Sequence, residues 1–115
     1  MVASTVQQIA DQNDRFRQGD PNIPGTRFIT AGIDHLLKRS ETPVAEIALL
    51  VTQFDDFTDG NDPHKEREFG AFQFNSNKCF WKIDYYDLDY SMGSDDPSDL
   101  SKTCRLITIM LADEW

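Results

Sequence analysis

The chain has 115 residues, 20 acidic against 11 basic, and a formal charge of −9. That balance opposes direct binding to nucleic acid, which Lys and Arg drive by neutralising phosphates, and opposes docking on an anionic membrane. The length predicts one domain spanning residues 1–115, and a hydrophobic content of 39% with eight Phe, three Tyr and two Trp suffices for one core without disulfides or metal.

No apolar run reaches the roughly 20 residues that span a bilayer, and the polar start MVASTVQQIADQNDRFRQ lacks the apolar stretch of a signal peptide. A cytoplasmic location is the expectation. Cys79 and Cys104, each inside an apolar run, are expected as reduced core thiols.

In chain order, Val2, Val6, Ile9, Asn13 and Phe16 recur at helical spacing, with Asp11, Asp14, Arg15 and Arg17 turned away, which predicts an amphipathic helix ended by Gly19 and Pro21. Asp11 and Arg15 form an i, i+4 pair, and Arg15 or Arg17 could alternatively pin an acidic loop. Residues 26–30 (TRFIT) read as a short strand or the approach to a helix over 31–37. Thr42 is the expected N-cap of the next helix, with Pro43 at its first position and an apolar stripe of Val44, Ile47, Ala48, Val51 and Phe54 running to about Asp56.

After a polar loop, strands over 67–75 and 78–87 are joined through Ser76-Asn77. In the second strand Cys79, Trp81, Ile83 and Tyr85 share one face, and Phe80, Lys82, Asp84 and Tyr86 the other. A long acidic loop runs to Ser101, and residues 103–111 (TCRLITIML) read as a central strand. The fold class is α+β, an antiparallel three- to four-stranded sheet with two to three helices packed on one face.

Several strings together, DQNDRFR at 11–17, FDDFTDGNDPHKEREFGAF at 54–72, FWKIDYYD at 80–87, GSDDPSD at 93–99 and LITIMLADEW at 106–115, resemble the small bacterial family catalogued as domain of unknown function 3768. The resemblance implies little chemistry. Members are similar to proteins carried on plasmids and phage-like elements near anti-defence genes, so the resemblance implies a counter-defence role of anti-CRISPR or anti-restriction type.

The charge excess lies between residues 41 and 100, which hold fourteen acidic and four basic side chains. Two segments carry most of it: Asp55, Asp56, Asp59 and Asp62, and then Asp84, Asp87, Asp89, Asp95, Asp96 and Asp99, with Tyr85, Tyr86 and Tyr90 among the latter. In extended chain Asp87 and Asp89 would stand about 6.6–6.8 Å apart, comparable with successive phosphates. A firm array of that kind would fit a Lys/Arg groove built for nucleic acid, with Tyr85, Tyr86 and Tyr90 as amphipathic contact area. The opposing reading is a solvated acidic loop in which Ser98 or Asp99 merely binds nearby backbone.

Asp55, Asp59, Gly60 and Glu66 match four positions of an EF-hand loop, but Phe57 falls where a ligand is needed and Asp62 where an apolar residue is usual. His35 and His64 have no Cys or His at ligand spacing. No catalytic residue, cofactor or metal is therefore expected. An enzyme would require a raised carboxyl pKa in an apolar pocket. The expected activity is a non-enzymatic inhibitor that mimics nucleic acid and fills a positively charged groove of a CRISPR effector subunit or nuclease. The rival expectation is an accessory domain that binds a basic protein or peptide with no nucleic-acid connection.

Overall fold

The computed structural model describes residues 5–115. Val2, assigned to the first helical stripe, lies outside them. Helix α1 (Thr5–Arg17) buries Ile9, Asn13 and Phe16 at helical spacing, together with Ala10 and Arg17. Its end is a Schellman turn: Gly19, at φ 94°, donates to the Phe16 carbonyl, and the Asp20 N–H to that of Arg15. Two expectations fail here. Arg17 is buried rather than turned outward, and Val6 is exposed.

Strand β1 (Gly25–Ile29) leads directly into helix α2 (Ala31–Arg39), whose N-cap Thr30 accepts the Ile33 N–H through its hydroxyl. A second Schellman turn closes α2. Glu41, at φ 54°, donates to the Lys38 carbonyl and Thr42 to that of Leu37. Thr42 is thus occupied in ending α2, and the N-cap of α3 (Val44–Thr52) falls on Pro43, without a side-chain cap. Helix α3 stops at Thr52, short of Asp56. The Arg17 guanidinium takes the carbonyls of Val51, Thr52 and Phe54 at 3.0, 3.1 and 2.7 Å, which satisfies the orphan acceptors of a helix end. Ile47 and Val51 are the buried part of the α3 stripe, and Val44 is exposed.

Strands β2 (Phe69–Phe74) and β3 (Asn77–Tyr86) form a hairpin whose two turn residues are Asn75 and Ser76, one position earlier than expected. Both have positive φ, 48° and 64°, the primed-turn geometry that matches strand twist. Strand β4 (Cys104–Leu111) follows the long acidic loop, and a short 3₁₀ turn, η1 (Ala112–Glu114), ends in Trp115.

The sheet order is β1-β4-β3-β2, so β4 is central as expected. The fold is α+β with three helices, but the sheet is mixed. β2–β3 and β3–β4 are antiparallel, whereas β1 runs parallel to β4, Gly25 opposite Arg105 through Ile29 opposite Ile109. The expected all-antiparallel sheet is corrected on this point. A five-residue strand carries no local mark of its partner's direction, which is decided only when α2 and α3 pack.

The two sheet faces differ as the alternation in β3 predicts. Cys79, Trp81, Ile83, Ile107 and Ile109 form the core with Phe16 of α1, Ile33, Leu36 and Leu37 of α2, and Ile47 and Val51 of α3. Trp81 packs edge-on against Phe54 and Phe57, ring centres 5.5 and 6.2 Å away, and Gly70 sits opposite it because a Cβ there would collide with the indole. The other face carries Phe28, Phe69, Phe80, Lys82, Asp84, Tyr86, Leu106, Thr108 and Met110, which lie outside that core. Both cysteines are free thiols, Cys79 buried in the core and Cys104 half-buried at the start of β4.

Candidate functional site

The two acidic loops leave the same end of the sheet. Residues 53–68 lead into the start of β2, and residues 87–103 join the end of β3 to the start of β4. Helix α1 lies between them, and its Asn13 and Gln12 bind both. Asn13 Nδ2 donates to the Glu66 carbonyl and to the Tyr85 hydroxyl, each at 2.8 Å, while Gln12 Nε2 donates to the Ser98 carbonyl at 2.8 Å.

Beneath them is a residue that sequence reading missed. Arg105, counted within an apolar run, is fully buried. Its Nε donates to Asn13 Oδ1 at 2.7 Å, its Nη2 to Gln12 Oε1 at 2.9 Å and to the Pro97 carbonyl at 3.2 Å, and its guanidinium lies over the Tyr85 ring. Burial lowers the Arg105 pKa, and the charge it keeps is spread over neutral acceptors. An arginine at an inward position of a central strand was the available signal, since a buried cation must find partners.

In the first loop the acidic groups are largely satisfied within the protein. Asp59 is paired with Lys65. Asp62 is buried, and its Oδ1 accepts the Arg67 N–H at 3.0 Å, so it is removed from the candidate contact residues. Glu66 accepts the Tyr85 O–H at 2.8 Å. Lys65 and Arg67 both hold positive φ, and the Arg67 guanidinium reaches Asp14 and lies over Phe57. Only Asp55 and Asp56 are exposed and make no ion pair among the described residues.

Glu68 is pushed up to about 7, first by burial and then by the neighbouring Glu66 and Asp62. The adjacent groove, of about 490 Å³, is lined by Val6, Asp11, Phe57, Asp59, Lys65 and Arg67 among others, and Glu68 does not line it. Among the described residues no group of three or more His, Cys, Asp or Glu is placed to hold a metal.

The second loop is organised differently. Ser91 donates from its hydroxyl to Asp89 Oδ1 at 2.7 Å and Asp87 Oδ2 at 3.1 Å, and its N–H reaches both carboxylates. Ser98 does the same for Asp96 and Ser101 for Asp99, each hydroxyl at 2.6 Å. Bonds from Ser91 and Ser101 hold Asp89 and Asp99 below the usual carboxylate range. Asp87, Asp89, Asp95 and Asp96 make no ion pair among the described residues, whereas Asp99 has Lys102 at 3.9 Å and Asp84 has Lys82 at 3.2 Å.

The loop backbone is fastened along its length. The Asp87 N–H binds the Met92 carbonyl, the Ser94 N–H that of Tyr85, and Thr103 Oγ1 the carbonyl of Asp96. Because β3 ends at Tyr86 and residues 87–90 turn, Tyr90 standing at φ 60°, Asp87 and Asp89 converge on Ser91. The extended chain required for the expected phosphate-like spacing is not formed here. Between the carboxylates stand exposed Leu88, Tyr90 and Met92. Tyr90 packs near Tyr86, ring centres 5.9 Å apart, and shares a hydrogen bond with Thr26 of β1.

No described helix is long and apolar enough to cross a membrane. No curated protein and no solved structure matches the chain. A family model described as protein of unknown function (DUF3768) matches residues 29–114, from the last residue of β1 to the end of η1, and the chain belongs to that family.

Proposed function

We propose that residues 84–99, the end of β3 and the loop after it, are a protein-contact element that enters a positively lined groove. In this reading the protein is a non-enzymatic inhibitor of a bacterial defence effector of CRISPR or restriction type, and it competes with nucleic acid for that groove. The effector class follows from the family resemblance. The observation that carries the reading is that Asp87, Asp89, Asp95 and Asp96 have no cation within the described residues, while serine hydroxyls and buried Arg105 keep their loop fixed. Fixed carboxylates lose little freedom on meeting Arg or Lys, and such charge-assisted bonds are the stronger class.

The exposed Leu88, Tyr90 and Met92 favour the second reading as well, a basic protein or peptide partner with no nucleic-acid connection, since apolar side chains gain from a protein surface and not from a phosphate-like role. One assay addresses both. Labelled DNA is bound to a purified CRISPR effector or restriction nuclease and displaced by this protein at increasing salt. Displacement that weakens with salt and is lost in the quadruple Asn variant of Asp87, Asp89, Asp95 and Asp96 supports the inhibitor. Full displacement by that variant removes the charge-based reading. Binding to the effector that leaves its DNA in place transfers support to the second reading.

A further inference from the structure

The sheet face opposite the core contains a cleft of about 390 Å³. Register builds it. Phe28, Thr108 and Lys82 lie in one row across β1, β4 and β3, and Leu106 and Asp84 in the next. Tyr86 borders it toward the acidic loop and Trp115 at the other end. Phe28 and Trp115 are among the most exposed large apolar side chains of the described residues, at 55% and 71%.

The tail that brings Trp115 here is fastened. Glu114 accepts hydrogen bonds from the Thr30 hydroxyl at 2.6 Å, the Gly32 N–H at 3.1 Å and the Leu111 N–H at 2.8 Å. The indole stands edge-on to Phe69 and Phe80, ring centres 5.4 and 5.8 Å away.

One cation already sits in this cleft. Lys82 Nζ lies 5.6 Å from the centre of the Trp115 ring and 3.2 Å from Asp84. An aromatic face with a carboxylate beside it is the environment that recognises cations, and a planar guanidinium, which stacks and binds a carboxylate bidentately, suits it better than an ammonium. We infer that this cleft receives an arginine side chain of a partner protein, which takes the place between Asp84 and Trp115 that Lys82 fills in the free protein. The inference rests on the basic partner proposed above and assigns that partner a second anchor next to the acidic loop. Lys82 is an internal competitor that offsets the Asp84 charge until a stronger cation arrives.

The test uses tetra-arginine as the probe and Trp115 fluorescence as the readout. The only other tryptophan, Trp81, is fully buried in the core. A saturable change in the wild-type protein is expected, weaker with tetra-lysine. Asp84→Asn should weaken it roughly three- to tenfold, the scale of one exposed cation–aromatic and ion-pair contact. Lys82→Gln should tighten it by roughly the same factor, because the competitor is gone. Asp56→Asn removes the same charge from the other acidic loop and should change it less than about twofold. Equal losses in Asp84→Asn and Asp56→Asn, equal responses to the two peptides, or no saturable response overturns the inference. Circular dichroism confirms that each variant is folded. The quadruple Asn variant of the acidic loop leaves the cleft intact and should keep its Trp115 response. DNA displacement therefore reports on the loop and the arginine titration on the cleft, and either can fail without the other.

Discussion

The two acidic loops read alike in sequence and differ in what the fold does with their charge. In residues 53–68, Asp59 meets Lys65, Asp62 is buried on a backbone N–H, and Glu66 accepts the Tyr85 hydroxyl. In residues 87–103 Asp87, Asp89 and Asp96 are bound by serine hydroxyls, which leave the negative charge in place, Asp99 has Lys102 as well as the Ser101 hydroxyl, and exposed apolar side chains stand between them. A cation partner cancels a carboxylate's charge, whereas a hydroxyl partner only fixes its position. Net charge therefore does not locate an interaction surface. In the second loop the unpaired acids Asp87, Asp89 and Asp96 are held in place by serine hydroxyls, whereas in the first only Asp55 and Asp56 are exposed without an ion pair among the described residues.

The sharpest way to break this difference is Arg105→Ala. It removes the donor shared by Asn13, Gln12 and Pro97, leaves buried acceptors unmet and opens a cavity. A loss of about 3 kcal/mol in denaturant unfolding is expected, with loop 87–103 becoming protease-sensitive while loop 53–68 keeps its Lys65 and Arg67 contacts. A loop 87–103 that stays protected in a folded variant would show that Arg105 is not its anchor.

Asp62→Ala should cost about 1–2 kcal/mol, because the Arg67 N–H loses its acceptor, whereas Asp95→Asn should leave the unfolding midpoint unchanged. Equal effects at the two positions would erase the distinction between internal and presented acids.

Glu68 supplies a pH test confined to the first loop. Its folded pKa of about 7 lies above the ordinary 4.5, so the folded state holds this proton more tightly than the unfolded chain does. That contribution is complete below about pH 4.5 and is lost as pH rises through about 7. Glu68→Gln should flatten the decline of melting temperature across this window and raise it at pH 8. An unaltered slope would remove the Glu66–Glu68 coupling.

The smallest effect belongs to Ser91→Ala. Asp89 should titrate closer to the ordinary carboxylate range by NMR, with little change in global stability, because the depressed pKa depends first on the Ser91 hydroxyl. An unchanged Asp89 titration would show that the hydroxyl does not fix it.

Much of this molecule follows from local pattern. The 3.6-residue spacing of Ile9, Asn13 and Phe16 set α1, the alternation through Cys79, Trp81 and Ile83 set the two faces of β3, and the run from 103 to 111 placed a central strand. The family resemblance was also carried by strings within the chain. Folding alone decided three things. The direction of β1 against β4 depends on how two helices return the chain. The inward turn of Arg17 and Arg105 depends on carbonyls and amides supplied by residues far along the chain. The division of the acidic residues into internally bound and presented groups depends on which lysine, backbone N–H or tyrosine hydroxyl arrives beside each. Periodicity reports on neighbours within one element, and these outcomes are set by neighbours dozens of residues away, so no local window contained them.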